Sequence, residues 1–382
     1  MLVRLDAKII ANDEGLTPLK LACNACQDEV MKYFVLRAQT TRYDIIEALE
    51  LLGATYANHP TKSNTDKACK LLSVAMQHRY NEVDGDVLHK FVRPPVRAYG
   101  YRFECQTPHE IDAIKNKPYA IHMEGLIVRE RLLRTWNLSV PLHIRFRGAC
   151  LADSGYLVEA LELWKYAAKL DQKSCHDCMD QLYRIGSLMT QMLHKKDNSL
   201  FTHVEEVFTL LLSEVERIHS TGDDPDKLQE ARRVAVMLIA IILQQDLSRK
   251  ENRRFMKHLK KFITLEKAMH CGGNTTLHLA VSQNVFQGDK PVNHKLTTPN
   301  ASLVRLLLDA GANPDAVNSR RSTPLHVIAS LTNQSEVQCD IIKELLTAGA
   351  TRGAVNDDMQ TPLDHAQIDE VRALLSTFAA RG

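Results

Sequence analysis

Thr276-Leu277-His278-Leu279-Ala280, Thr323-Pro324-Leu325-His326 and Thr361-Pro362-Leu363-Asp364 are three versions of one string, and Gly311-Ala312-Asn313 and Gly349-Ala350-Thr351 recur between them. A threonine at this place caps a helix N-terminus, proline fits the first helical turn where its missing N–H is harmless, and leucine enters the core between paired helices. Gly311 and Gly349 follow the leucine-rich runs Leu306-Leu307-Leu308 and Leu345-Leu346, where a helix ends in a left-handed residue. The string thus encodes a helix pair and a turn, repeated. Thr276 to Thr323 is 47 residues and Thr323 to Thr361 is 38, while Gly311 to Thr323 and Gly349 to Thr361 each span 12. Against a unit of about 33 residues, both excesses fall before the second helix as loops between or beside helices, Gln283 to Thr298 being the larger.

These units resemble ankyrin repeats. His278 and His326 hold the position whose imidazole bridges neighbouring repeats, a structural role. A further unit begins at Gly15-Leu16-Thr17-Pro18-Leu19-Lys20-Leu21-Ala22, and Leu2-Val3-Arg4-Leu5-Asp6-Ala7-Lys8 resembles a repeat exit, Leu308-Asp309-Ala310-Gly311-Ala312-Asn313. Met1 therefore starts inside a repeat. An ankyrin unit buries its apolar face only on neighbours, and about three are needed for stability. This end is expected either to dock on the next domain or to lack partners.

Between Tyr43 and Lys267 the pattern changes to apolar residues at i, i+3, i+4 and i+7. Gly148, Leu151, Ala160, Trp164 and Ala167 carry the spacing of a tetratricopeptide repeat, with small residues where two antiparallel helices touch and an aromatic where they diverge. Gly53, Tyr56, Ala68, Leu72 and Ala75 repeat it with three extra residues in the turn. Later helices are expected near Asp177 to Leu193, Thr202 to His219, Asp224 to Gln245 and Ser248 to Met269, the last two started by Asp224-Pro225 and by a capping box at Ser248 and Glu251. The expected fold is an all-α helical solenoid: truncated ankyrin repeats over 1–42, a tetratricopeptide-like helical domain over 43–267 and C-terminal ankyrin repeats over 268–382.

Composition agrees with helices. The chain has 382 residues with 45% hydrophobic, 6% aromatic, 16 Gly and 13 Pro, which disfavours disorder and all-β folds. Its 48 Lys plus Arg against 46 Asp plus Glu leave a net charge of +2, so no global field steers it to nucleic acid or anionic lipid. The longest apolar run, Val234 to Leu243, reads as a buried helix too short to cross a bilayer. Nine cysteines at irregular spacing, with no secretory signal, fit free thiols in a reducing compartment, cytoplasmic or nuclear.

No Gly-rich phosphate loop, H-E-x-x-H or G-x-S-x-G motif occurs. The pairs Cys23-x-x-Cys26 and Cys175-x-x-Cys178 are too far apart for a compact zinc knuckle and read as core or surface thiols; no metal or cofactor is expected. Arg249, Lys250, Arg253, Arg254, Lys257, Lys260 and Lys261 form a basic run, diluted by Glu251, with Phe255 and Phe262 as a buried stripe. A solvated helix face is favoured over nucleic-acid or acidic-peptide binding.

The middle strings are more specific. Ala48-Leu49-Glu50-Leu51-Leu52-Gly53-Ala54-Thr55, Ala75-Met76-Gln77-His78-Arg79-Tyr80, Val128-Arg129-Glu130-Arg131-Leu132-Leu133 and Arg145-Phe146-Arg147-Gly148-Ala149-Cys150-Leu151-Ala152-Asp153-Ser154-Gly155, followed by Leu163-Trp164-Lys165-Tyr166-Ala167, closely resemble the Fem (feminization) family. So does the order of repeats, over essentially the whole chain. The resemblance implies a non-catalytic substrate receptor of an elongin-dependent cullin-RING ubiquitin ligase, whose N-terminal ankyrin array holds a degron and whose C-terminal box binds elongin B/C and cullin. It also implies that both working ends are cut here. Several upstream repeats are missing, and Leu375, Phe378 and Ala379 resemble only the opening of the elongin-binding helix. The finger loops Asn318, Ser319, Arg320 and Arg321, and Asp357, Asp358 and Met359, are the candidate partner contacts. An alternative is an ankyrin and tetratricopeptide scaffold without ligase attachment; an enzyme is disfavoured because no acid–base or nucleophile set is found.

Overall fold

The computed structural model describes residues 10–37, 40–81, 87–135, 137–193, 200–222, 224–269, 272–283, 285–286, 296–332 and 335–377. The described residues carry helices and turns without strands, so the all-α expectation holds. They fall into two compact units, Met1–His176 and Asp177–Gly382. The three segments read from the sequence group residues by repeat type, whereas these units group them by packing.

The first unit opens with α1 (Pro18–Asn24) and α2 (Asp28–Arg37), the helix pair of the N-terminal ankyrin unit. Thr17 caps α1 by accepting from the Lys20 N–H at 3.3 Å, and Pro18 fills the first helical position. Residues 1–9, where the preceding half repeat was expected, lie outside the described residues. The pair docks on α3 (Arg42–Asn58): Lys20 meets Glu47 at 2.8 Å and the Tyr56 hydroxyl donates to Asp28 at 2.6 Å.

Helix α3 and α4 (Thr65–Arg79) form an antiparallel hairpin, since Arg42 at the start of α3 donates to the carbonyl of His78 at 2.9 Å while Asn64 N–H reaches Tyr56 O at 2.9 Å. Then come α5 (Pro108–Ile114), α6 (Pro118–Leu133) and a second hairpin, α7 (Ser139–Asp153) with α8 (Leu157–Lys173). Six residues link α3 to α4 and three link α7 to α8, the three-residue difference expected from the spacing. The small residues do what that spacing requires. A Cβ on Gly53 would stand 3.1 Å from Leu72, and one on Gly148 would stand 2.3 Å from Trp164 Nε1. Helix backbone and indole ring touch at Gly148 with no room for a methyl group.

The hairpins also bury charge. Among the described residues Arg129 and Arg147 have no carboxylate beside them; Arg129 donates to Thr55 Oγ1 at 2.9 Å and to Asn24 Oδ1, and Arg147 donates to Asn58 Oδ1 at 3.0 Å and Ala57 O at 3.4 Å. Thr55, Ala57 and Asn58 lie in the last turn of α3, where the helix dipole and unpaired carbonyls favour cations. Burial still pushes the Arg129 guanidinium down to about 9.

The second unit contains α9 (Met179–Met192), α10 (Leu200–Thr221), α11 (Pro225–Ile242) and α12 (Arg249–Ala268), within a few residues of the expected spans. Asp224 caps α11 and Ser248 with Glu251 forms both bonds of a capping box on α12. The α11 run from Val234 to Ile242 is buried throughout, and no helix of the described residues is long and apolar enough to cross a membrane. Phe255 and Phe262 of the basic helix are buried edge-on against Phe208, with centroids 5.4 and 5.9 Å away. Arg254 pairs with Glu205 and Lys261 with Glu216.

Ankyrin pairs follow: α13 (Thr276–Val281) with α14 (Ala301–Asp309), α15 (Pro324–Ala329) with α16 (Ser335–Thr347), and α17 (Pro362–His365) with α18 (Asp369–Thr377). The larger excess does lie between α13 and α14, where residues 284 and 287–295 are outside the described residues. The smaller one differs from a loop insertion. Helix α16 has 13 residues against nine in α14, so much of the excess lengthens the helix at its start, where buried Gln338 donates to Ile328 O at 2.9 Å and Leu331 O at 2.7 Å.

Candidate functional site

Three loops share one local device. Asn318 Oδ1 accepts from the N–H groups of Arg320 and Ser322, both at 3.0 Å, while its own N–H donates to Ser322 O and its carbonyl accepts from Arg321. Asn356 does the same, accepting from Asp358 at 3.0 Å and Gln360 at 2.9 Å. In the first unit Asn12 accepts from Leu16 at 2.8 Å. Each asparagine stands five residues before a helix-capping threonine, Thr323, Thr361 or Thr17. The residue three after it has positive φ: Arg321 at 54°, Met359 at 57° and Gly15 at 74°. The asparagine amide substitutes for a backbone turn, closing the finger while the left-handed residue reverses the chain.

Histidines hang these fingers from the helices. His278 Nδ1 accepts from the Thr275 N–H (3.2 Å) and hydroxyl (2.7 Å), so its Nε2 carries the proton and donates to Ser322 O at 2.9 Å. His326 repeats this with Thr323 and Gln360 O, at 3.1 Å. Each imidazole therefore works only when neutral. Burial, with Arg232 and His326 adding to it, pushes His278 down to about 4.

The candidate contact residues are brought into one place. Asp357 N–H donates to Arg320 O at 3.1 Å, joining the two fingers. Ser319, Arg320, Arg321, Asp357, Asp358 and Met359 are exposed, while Asn318 is half-buried because its amide works inward, donating to Asn274 at 3.0 Å. Val317, Val355 and Met359 are 52%, 41% and 77% exposed, an apolar set carried on the same two fingers as the arginine pair and the aspartate pair. Of the elongin-box residues, Leu375 is buried and its carbonyl accepts from Arg352 at 3.3 Å; Phe378 and Ala379 lie outside the described residues. Elsewhere, burial pushes the Cys23 thiol up to about 12 and raises Cys26 as well.

An ankyrin-repeat family profile matches residues 272–319, which cover the first of these repeats and the start of its finger. The fem-1 homolog A of Homo sapiens is 32% identical over 306 residues, 76% of this chain and 44% of that protein. The fem-1 homolog C of Bos taurus is 28% identical over 367 residues, 90% of this chain and 57% of that one. The chain belongs to the Fem-1 family. It spans about half the length of the curated relatives it matches.

Sequence reasoning alone missed two features of this Fem-1 chain. The finger asparagines Asn12, Asn318 and Asn356 were legible as a fixed five-residue offset from each threonine. The second is a cavity of ≈ 410 Å³ lined by Arg232 of α11, Ile263 and Lys267 of α12, Leu277 of α13 and Val317 and Asn318 of the first finger. Its only sequence signal is an arginine placed just before the apolar run of α11.

Proposed function

We propose that this chain is a non-catalytic protein-interaction adaptor that recruits a target protein to an elongin-dependent cullin-RING ubiquitin ligase. The observation that carries this reading is the likeness to fem-1 proteins over 76–90% of the chain. The fingers support the adaptor part, because a pre-formed loop closed by its own asparagine loses little entropy when a partner lands on it. The receptor contributes proximity and orientation, and the chemistry belongs to its partners. The hairpins α3–α4 and α7–α8 would serve as tetratricopeptide-like spacers between repeat arrays.

Co-purification tests it. Elongin B and C retained on the tagged chain, expressed beside a full-length fem-1 homolog C, would support it. Retention of other proteins without elongin would favour a scaffold with no ligase attachment. Retention of neither, while the full-length homolog retains elongin, would sink the ligase reading for these residues.

A further inference from the structure

The cavity under the first finger holds an unanswered hydrogen-bond donor. Arg232 is 1% exposed, and its Nε donates to Glu266 Oε1 at 2.8 Å. That same oxygen also accepts the N–H and hydroxyl of Thr276, both at 2.8 Å. The Arg232 Nη1 atom is buried and meets no acceptor among the described residues. It lies 3.9 Å from where a Cβ on Gly273 would stand, and the Gln229 Oε1 atom lies 3.4 Å from that same point without bonding to it. Lys267, exposed at the end of α12, lines the same cavity and has no carboxylate partner among the described residues.

The charges of the lining are Arg232 and Lys267 against Glu266, an excess of one positive charge. Beside them Ile263, Leu277 and Val317 form an apolar wall. A buried donor without an acceptor is costly, and a guanidinium N–H with a nearby ammonium is the pairing that a carboxylate answers. One carboxylate neutralises the excess; a phosphate dianion would overshoot it. We propose that this cavity takes a carboxylate of a partner protein, with an apolar side chain adjacent to that carboxylate packed against the wall. This recognition needs no ligase attachment, so it stands or falls separately from the elongin experiment.

The test is fluorescence anisotropy of the full chain with fluorescein-labelled, C-terminally amidated peptides of alternating leucine and glutamate. Companions carry glutamine for glutamate, glutamine with a free C-terminal carboxylate, or phosphoserine. The glutamate peptide should bind at least about tenfold more tightly than its amidated glutamine analogue, the equivalent of one charge-assisted hydrogen bond. Preference for the free-carboxylate arm instead would identify a chain terminus as the source. Lys267→Glu should abolish the preference. Lys250→Glu, about 25 Å up the same helix, should leave it unchanged. If glutamate and glutamine peptides bind within about twofold of each other or not at all, or if Lys267→Glu behaves as the unmodified chain, the cavity is not a carboxylate site and water answers the Arg232 donor. A phosphoserine peptide that binds more tightly than the glutamate one would overturn the assignment in favour of phosphate.

Discussion

Replacing Glu50 with glutamine should destabilise the first unit by about 3 kcal/mol. Glu50 is 1% exposed and accepts two hydrogen bonds from Arg79, at 2.7 and 2.9 Å, and one from Arg131 at 2.7 Å, with Lys90 at 3.6 Å. Arg131 and Lys90 also share Glu104, at 2.8 and 2.9 Å. The cluster thus sets three buried cations against two carboxylates. Glu124, bonded to the Cys105 N–H at 3.1 Å, offers a third only in part, because burial pushes its carboxyl up to about 7. Glu50→Gln keeps the shape but removes a charge, and an amide N–H replaces one acceptor facing a guanidinium. Breaking a buried pair costs about 3–5 kcal/mol.

The electrostatics give the same size. Burial alone would raise the Glu50 carboxyl, but hydrogen bonds from Arg79 and the charges of Arg131 and Lys90 overcome it and hold the group at about 2. Relative to an unfolded value of about 4.3, that contributes about 3 kcal/mol. The folded value is depressed, so the contribution is full above pH 4.3 and is lost as pH falls towards 2. The assay is urea unfolding at pH 7 followed by tryptophan fluorescence, since both tryptophans, Trp136 and Trp164, belong to the first unit. With a slope of about 2 kcal/mol per molar, the midpoint should fall by about 1.5 M. A shift below about 0.3 M would refute the idea that this cluster clamps the segment carrying Lys90 and Glu104 onto α3 and α6.

Three further outcomes follow from the same contacts. Gly148→Ala drives a methyl group into the Trp164 ring and disturbs the indole bond to Arg145 O at 2.9 Å; the expected cost is about 1–3 kcal/mol with an altered emission maximum, read in the same urea titration. His278 is neutral in the fold with its value pushed down to about 4, so the unfolded state binds the extra proton as pH falls below 6.5, and the second unit should lose about 2 kcal/mol between pH 7 and pH 5. Far-UV circular dichroism melts across that range would measure the slope, and His278→Gln should flatten it. Asn356→Ala removes the acceptor of two backbone N–H groups and should cost about 2 kcal/mol, seen as faster amide hydrogen exchange at Asp358 and Gln360. Unchanged exchange would mean that the finger is closed by its backbone alone.

Much of this fold was readable along the chain because its signals act within four residues. A threonine, its proline and the residue three later make a cap whatever lies around them, and Thr17, Ser248 and Thr361 all cap where the sequence places them. The offset of small and aromatic residues predicted both hairpins and even the longer α3–α4 turn. The lengthened α16 escaped, since its extra first turn, Ser335-Glu336-Val337-Gln338, is mostly polar and can be loop or helix until Gln338 finds its acceptors in α15 and just after it.

Sequence by itself determined most helices and their caps and, through the family strings, the Fem-1 kinship; at the first C-terminal ankyrin pair it set the register one residue late, since Thr275 and not Thr276 caps α13. Tertiary structure alone decided where charge goes. Arg129 meets Asn24 from 105 residues away and Arg131 meets Glu50 from 81, and nothing near any of them in the chain announces the pairing. Capping is settled by adjacent backbone groups, whereas the fate of a buried ion depends on which distant segments exclude water from it. That is why Arg232 and its unanswered N–H emerge only once α11, α12 and the first finger have closed around them.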